Sequence, residues 1–126
     1  MKDYIPKNKF DIEAAERLKL LEFEAISADI PELLEWLQDM NWPVAHEVAQ
    51  YLTPHVNEMK DELLSILNSD DGMWKYWIVL LIGRSPSKPV PELMSVLKRI
   101  SEYPSKIEVE DGVDEMAKDA LEKLLD

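Results

Sequence analysis

The sequence predicts an all-α fold, a short solenoid of stacked helical hairpins, and three observations carry that prediction. The first is a 30-residue step. PELLEWL (31–37), KDELLSIL (60–67) and PELMSVL (91–97) align as Glu32/Glu62/Glu92, Leu33/Leu63/Leu93, Leu34/Leu64/Met94, Trp36/Ile66/Val96 and Leu37/Leu67/Leu97. A fixed period of this size marks stacked repeats, in which each unit buries its apolar face against the next. The second is that the step continues through a following helix: Val44, Val48, Ala49 and Leu52 map onto Trp74, Ile78, Val79 and Ile82. The third is composition. Leu, Glu, Lys, Ala and Met dominate, and three glycines in 126 residues are too few for a chain of tight hairpins.

The elements follow in order. Residues 1–9 read as loosely held, and residues 10–30 as a capping hairpin. Its first helix, Phe10–Leu21, has either Ile12, Ala15, Leu18 and Leu21 or Ala14, Leu18 and Leu21 as its apolar stripe, and Glu22–Ala28 is a shorter second helix. Residues 31–126 then hold three repeats. In the first, Pro31 suits a first helical turn, and Asp29 with Glu32 suits a capping box. This helix is expected over 31–40. Asp39–Pro43 breaks it, and Pro43 starts a helix to Thr53. The second repeat pairs a helix at 60–68 with one at 73–83, opened by NSDDG and apolar nearly all round, as in the covered middle of a stack. The third pairs 90–102 with 113–125, but an insertion near 102–112, EYPSKIEVEDG, lengthens the turn between them. Asp111 and Asp114 are candidates to cap the final helix. The insertion reads as a loop, a short extended piece or a disordered acidic segment. Leu34, Leu64 and Ile78 are expected in the core, with Trp36, Trp74 and Trp77. The whole chain, 1–126, is expected to be a single domain.

PELLEWLQDMNWPVAHEVAQYL and DDGMWKYWIVLLIG resemble short bacterial HEAT-like repeats. FDIEAAERL, PELLEWLQDMNWPVA and WKYWIV together look like a family of small bacterial proteins grouped as a domain of unknown function. The resemblance spans nearly the whole chain. It implies a right-handed HEAT-like α-solenoid and brings no catalytic residues with it.

Charge narrows the function classes. The net charge is −12, with −7 over residues 10–39 and −6 over 101–126, while 61–100 balances five acids against five bases. Nucleic acid and anionic membranes are read through basic patches, and none is visible, so neither is an expected partner. Two acidic ends suit a basic protein partner. The absence of cysteine rules out disulfides, thiolate metal sites and a cysteine nucleophile. The N-terminal MKDYIPKNKFD has no apolar run, and the apolar stretch 73–83 is interrupted by Lys75, so a cytoplasmic protein is expected.

Candidate chemistry is sparse. His46-Glu47-Val48-Ala49-Gln50 is one residue from the HExxH zinc motif, but Gln50 replaces the second imidazole. Glu32, Glu35 and Asp39 read as a solvated helix face. Glu108, Glu110 and Asp111 lack the calcium-loop spacing. No phosphate-binding or nucleophile-elbow motif occurs. The sequence thus calls for no catalytic residue, no metal and no cofactor.

The expected working surface is the polar side of the second helices: His46, Gln50 and Thr53, then Tyr76 and Leu80, then Glu115, Asp119 and Glu122, with the acidic insertion as a rim. Tyr76 stands where the first repeat has His46, so it is either added core or an aromatic anchor. The leading expectation is a non-catalytic protein-binding scaffold for a basic partner. The alternatives are an antidote or immunity-type inhibitor of a basic toxin, and an enzyme with a dispersed site.

Overall fold

A computed structural model describes residues 2–125, and among them every regular element is helical. The chain forms two compact units, one ending at Leu52 and the other beginning at Thr53.

The first unit holds α1 (Ile12–Leu18), a 3-10 segment Phe23–Asp29, α2 (Ile30–Glu35) and α3 (Pro43–Leu52). The Asp11 carboxylate caps α1 by accepting from Ala14 N at 3.3 Å, and Ala14, Ala15 and Leu18 face inward. The two alanines let α1 pack closely on α3, whose buried face is Val44, Ala45, Val48, Ala49 and Leu52. α2 is shorter than its sequence suggests. From Trp36 to Gln38 the backbone bonds shift to the i−3 carbonyl, and Asp39 Oδ1 then accepts from Asn41 N at 2.9 Å. This Asx turn competes with the helix, so Asp39 leaves the helical face that Glu32 and Glu35 occupy.

Asp29 precedes α2 but does not cap it. Its buried carboxylate instead accepts from Lys2 Nζ at 2.5 Å and from the Tyr4 hydroxyl. Those bonds, with Arg17 Nε donating to Asp3 O at 2.7 Å and Val44 N to Lys9 O at 3.1 Å, are among the contacts that tie down the segment expected to be loosely held. Met1 lies outside the described residues.

The second unit opens with 3-10 turns at Thr53–His55 and Asn57–Met59. It continues through α4 (Lys60–Leu67), α5 (Gly72–Gly83), α6 (Pro91–Glu102), α7 (Lys106–Glu110) and α8 (Val113–Leu124). Asp71 caps α5 by accepting from Trp74 N at 3.1 Å, as the NSDDG signal suggests. α8 packs along both α5 and α6, and α4 touches α5 and α6. The insertion is neither extended nor irregular: it forms α7, closed by a capping box between Ser105 and Glu108. Gly112, in the left-handed region at φ 73°, turns the chain from α7 into α8, and neither Asp111 nor Asp114 caps that helix.

Two sets of positions one repeat step apart share full burial. Leu33, Leu63 and Leu93 are fully buried, as are Leu37, Leu67 and Leu97. Leu34 and Ile78 are buried as expected, but Leu64 is only half-buried, and so are Trp36, Trp74 and Trp77. In α4 the inward face is Leu63, Ile66 and Leu67, which turns Leu64 toward the helix flank. Trp36 packs edge-to-face on Trp42 at 5.8 Å, covering the first unit's core from its margin. No helix among the described residues is long and apolar enough to cross a membrane.

Leu63→Ala should therefore cost roughly 2–5 kcal/mol by opening a cavity, and Leu64→Ala less than about 2 kcal/mol. His46→Ala, at an exposed site, should stay within about 0.5 kcal/mol. Urea unfolding of the three variants checks the order, and equal costs at Leu63 and Leu64 would contradict the inward face assigned to α4.

Candidate functional site

In the second unit, α8 turns Val113, Ala117 and Ala120 inward and leaves Glu115, Asp119 and Glu122 exposed. The spacing of these acids places them along one side of the helix. Lys118 Nζ lies 3.9 Å from Glu115 Oε1, but both side chains are more than half exposed, so the pair neutralises little of the stripe. Tyr76 sits beside the start of α8: a Cβ built on Gly112 would lie 3.8 Å from Tyr76 Cε2. The Tyr76 ring stands edge-to-face on Trp77 at 4.9 Å and is half-buried, with Leu80, also half-buried, one turn further along α5. An aromatic held by its neighbour and open on one side, next to an acidic helix, is a preformed contact for a cationic or apolar side chain.

In the first unit, His46 and Gln50 are exposed on α3. Gln50 Oε1 accepts from Lys19 Nζ at 3.1 Å, and Lys19 also pairs with Glu47. Glu47 and Gln50 of the zinc-like run are thus tied to a lysine, and among the described residues no three His, Cys, Asp or Glu side chains cluster as metal ligands would. Thr53 is half-buried in the 3-10 turn that opens the second unit.

The sequence misses a buried ion cluster. Glu108 reads as one of three loop acids, yet its exposure is 0%. Its Oε1 accepts from Arg99 Nη1 at 2.5 Å and from Ser105 N at 2.8 Å. Its Oε2 accepts from Arg99 Nη2 at 2.9 Å and from Lys75 Nζ at 2.7 Å. Lys75, only 4% exposed, also donates to Ser69 O at 3.0 Å. The bidentate guanidinium, the ammonium and the backbone amide fill the carboxylate's acceptor sites. Two sequence signals point here: a lysine inside an apolar helix, and the Ser105-x-x-Glu108 capping pattern. Of the three loop acids, Glu110 is exposed, and Asp111 is half-buried with its carboxylate close to Gly72.

Burial alone would raise the Glu108 pKa. The bonds from Arg99, then Lys75, then Ser105 outweigh it and lower the pKa from 4.5 to about 2. A carboxyl whose folded pKa is depressed stabilises fully above its unfolded pKa and loses that contribution as pH falls through the folded one. Wild-type unfolding free energy should therefore drop by on the order of 3 kcal/mol more than that of Glu108→Gln between pH ~5 and pH ~2. At neutral pH, Glu108→Gln should cost roughly 3–5 kcal/mol, because it leaves Lys75 a buried charge without its counterion. Glu110→Gln, which removes only an exposed pair, should cost below about 1 kcal/mol. Denaturant titrations across this pH range check both statements. Parallel curves for wild type and Glu108→Gln would show that the cluster does not govern acid stability.

No curated protein matches the chain. A family described as domain of unknown function DUF5071 matches residues 4–121, which takes in the first unit from Tyr4, the buried Glu108 cluster and nearly all of α8. With this near-complete coverage, the chain belongs to the DUF5071 family.

Proposed function

We propose that this chain is a non-catalytic, cytoplasmic bacterial scaffold that binds a basic protein partner through the second-helix face. The observation that carries the reading is the exposed stripe of Glu115, Asp119 and Glu122 on α8, with half-buried Tyr76 beside the start of that helix. Such a stripe attracts a cationic surface at long range, and a partly open aromatic supplies short-range contact once the partner has docked. The acid distribution disfavours nucleic acid as the partner.

We further propose that residues 1–126 act as one HEAT-like, right-handed α-solenoid domain. The recurrence of full burial at Leu33, Leu63 and Leu93, and at Leu37, Leu67 and Leu97, supports this reading. One domain predicts one unfolding transition shared by probes in both units, such as Trp42 and Trp74 fluorescence followed in single-tryptophan variants. Two separate transitions would sink it.

The functional test is capture from the source organism's extract, followed by binding measurements on the purified partner. Replacing Glu115, Asp119 and Glu122 together by Lys should abolish binding and leave the helical spectrum unchanged. Wild-type association should slow as salt rises past about 0.15 M, where the Debye length is ~8 Å. Tyr76→Ala should mainly raise the off-rate. A partner with a cationic nuclease cleft would make the scaffold an inhibitor of that toxin. Salt-independent binding that survives both sets of changes would remove this face from consideration.

A further inference from the structure

We infer a second interaction surface in the second unit, of opposite electrostatic character: a groove that takes an acidic peptide segment carrying an aliphatic side chain. It goes beyond the proposed function, since it lies on other residues and selects another ligand. The groove is lined by Lys88, Val90, Met94, Ser95, Lys98 and Leu125, with prolines at 89 and 91. Its apolar part is Val90, Met94 and Leu125, and Leu125 is 58% exposed. Leu125 follows α8, and the other residues belong to the start of α6 and the segment before it.

Charge complementarity identifies the occupant. The chain holds 26 acids against 14 bases, yet residues 84–98 carry Arg84, Lys88 and Lys98 with Glu92 as their one acid. Glu92 is already engaged, at 3.0 Å from Lys60 Nζ. Lys88 and Lys98 are both exposed, and among the described residues neither ammonium is paired with a carboxylate. In a protein with such an excess of acid, two lysines left without carboxylate partners in one groove with apolar side chains suit a segment that carries carboxylates beside an apolar residue. A partner like this chain's own basic docking target would be repelled.

The wall that carries Lys88 is also held in place. Asn57 Nδ2 donates to Lys88 O at 3.1 Å, and Val90 N donates to Asn57 Oδ1 at 2.9 Å, so one side chain clamps the segment on both sides of Pro89. Proline 89 and proline 91 restrict the same stretch. A groove fixed before binding loses less conformational freedom when a ligand orders along it.

The test titrates the isotope-labelled full chain with an acetylated, amidated Glu-Asp-Leu-Asp-Glu peptide, followed by amide chemical shifts. Shifts should concentrate at Lys88, Val90, Ser95, Lys98 and Leu125. Lys88→Glu with Lys98→Glu should weaken binding at least about tenfold, and raising salt from ~0.05 to ~0.3 M should weaken it several-fold. Replacing the peptide's leucine by serine should weaken it about tenfold by removing the apolar contact. Asn57→Ala should weaken binding with no change in charge. Four results would overturn the proposal: no shifts at these residues at millimolar peptide; equal binding of a Lys-Lys-Leu-Lys-Lys peptide; displacement by inorganic phosphate as effective as by peptide, which would mark a generic anion site; or concentration-dependent self-association lost in the double lysine variant, which would make a second copy the occupant.

Discussion

A carboxylate removed from water keeps its charge only if each of its lone pairs meets a donor, and Glu108 meets four. Those donors come from different parts of the second unit: Lys75 from α5, Arg99 from α6, and Ser105 from the residue that caps α7. Lys75 extends the set by reaching Ser69 O in the turn before α5. A helix of five residues is too short to be stable on its own propensity. The ion cluster and the capping box therefore hold α7 where an unconstrained acidic turn would otherwise be expected. With α7 fixed, Gly112 sets the entry to α8, and the acidic stripe of that helix takes its place from there.

Close backbone approach is the second constraint on this unit. A side chain at Gly83 would meet Ala120 Cβ at 2.9 Å, so α5 and α8 depend on small residues where they come closest. At the other end of α5, a Cβ on Gly72 would meet the Asp111 carboxylate and the Ile107 side chain. Two of the chain's three glycines are thus spent on helix contacts and the third on the left-handed turn at 112. Sparse glycine is a sign of helix in the sequence, and the structure shows why the few that occur stand where they do.

The legible part of the fold was what periodicity controls. Apolar spacing located the long helices of the second unit and α3 to within a few residues, and the aligned leucines at 33, 63 and 93 identified fully buried positions. Periodicity was weakest where a side chain competes with the backbone. Asp39 ends α2 early through its Asx turn, and Asp29 trades the capping role for Lys2 and Tyr4. Leu64 shows a further limit: the adjacent pair Leu33 and Leu34 is buried in α2, whereas in α4 Leu63 is buried and Leu64 only half-buried, and the aligned spacing does not distinguish the two cases. The candidate surface was legible as exposure on α8 and at His46 and Gln50. The contact between Tyr76 and the start of α8 was not, because it depends on where α7 delivers the chain.

Formal charge also misleads when it is summed along a segment. The insertion reads as an acidic loop, yet its Glu108 is the most buried charge among the described residues, and the cations that hold it come from a stretch that balances to zero in the sequence. Burial of Glu108 withdraws Lys75 and part of Arg99 from the surface, and Glu92 with Lys60 forms a pair of its own. What then remains exposed and unpaired from Arg84 to Lys98 is basic, with Glu102 an exposed acid at the end of α6, while α8 presents the stripe of Glu115, Asp119 and Glu122. The second unit is therefore electrostatically divided in a way the net charge of −12 conceals. The internal ion cluster that fixes α7 engages Lys75 and Arg99, and the lysines of the α6 groove are among the cations still available to a ligand.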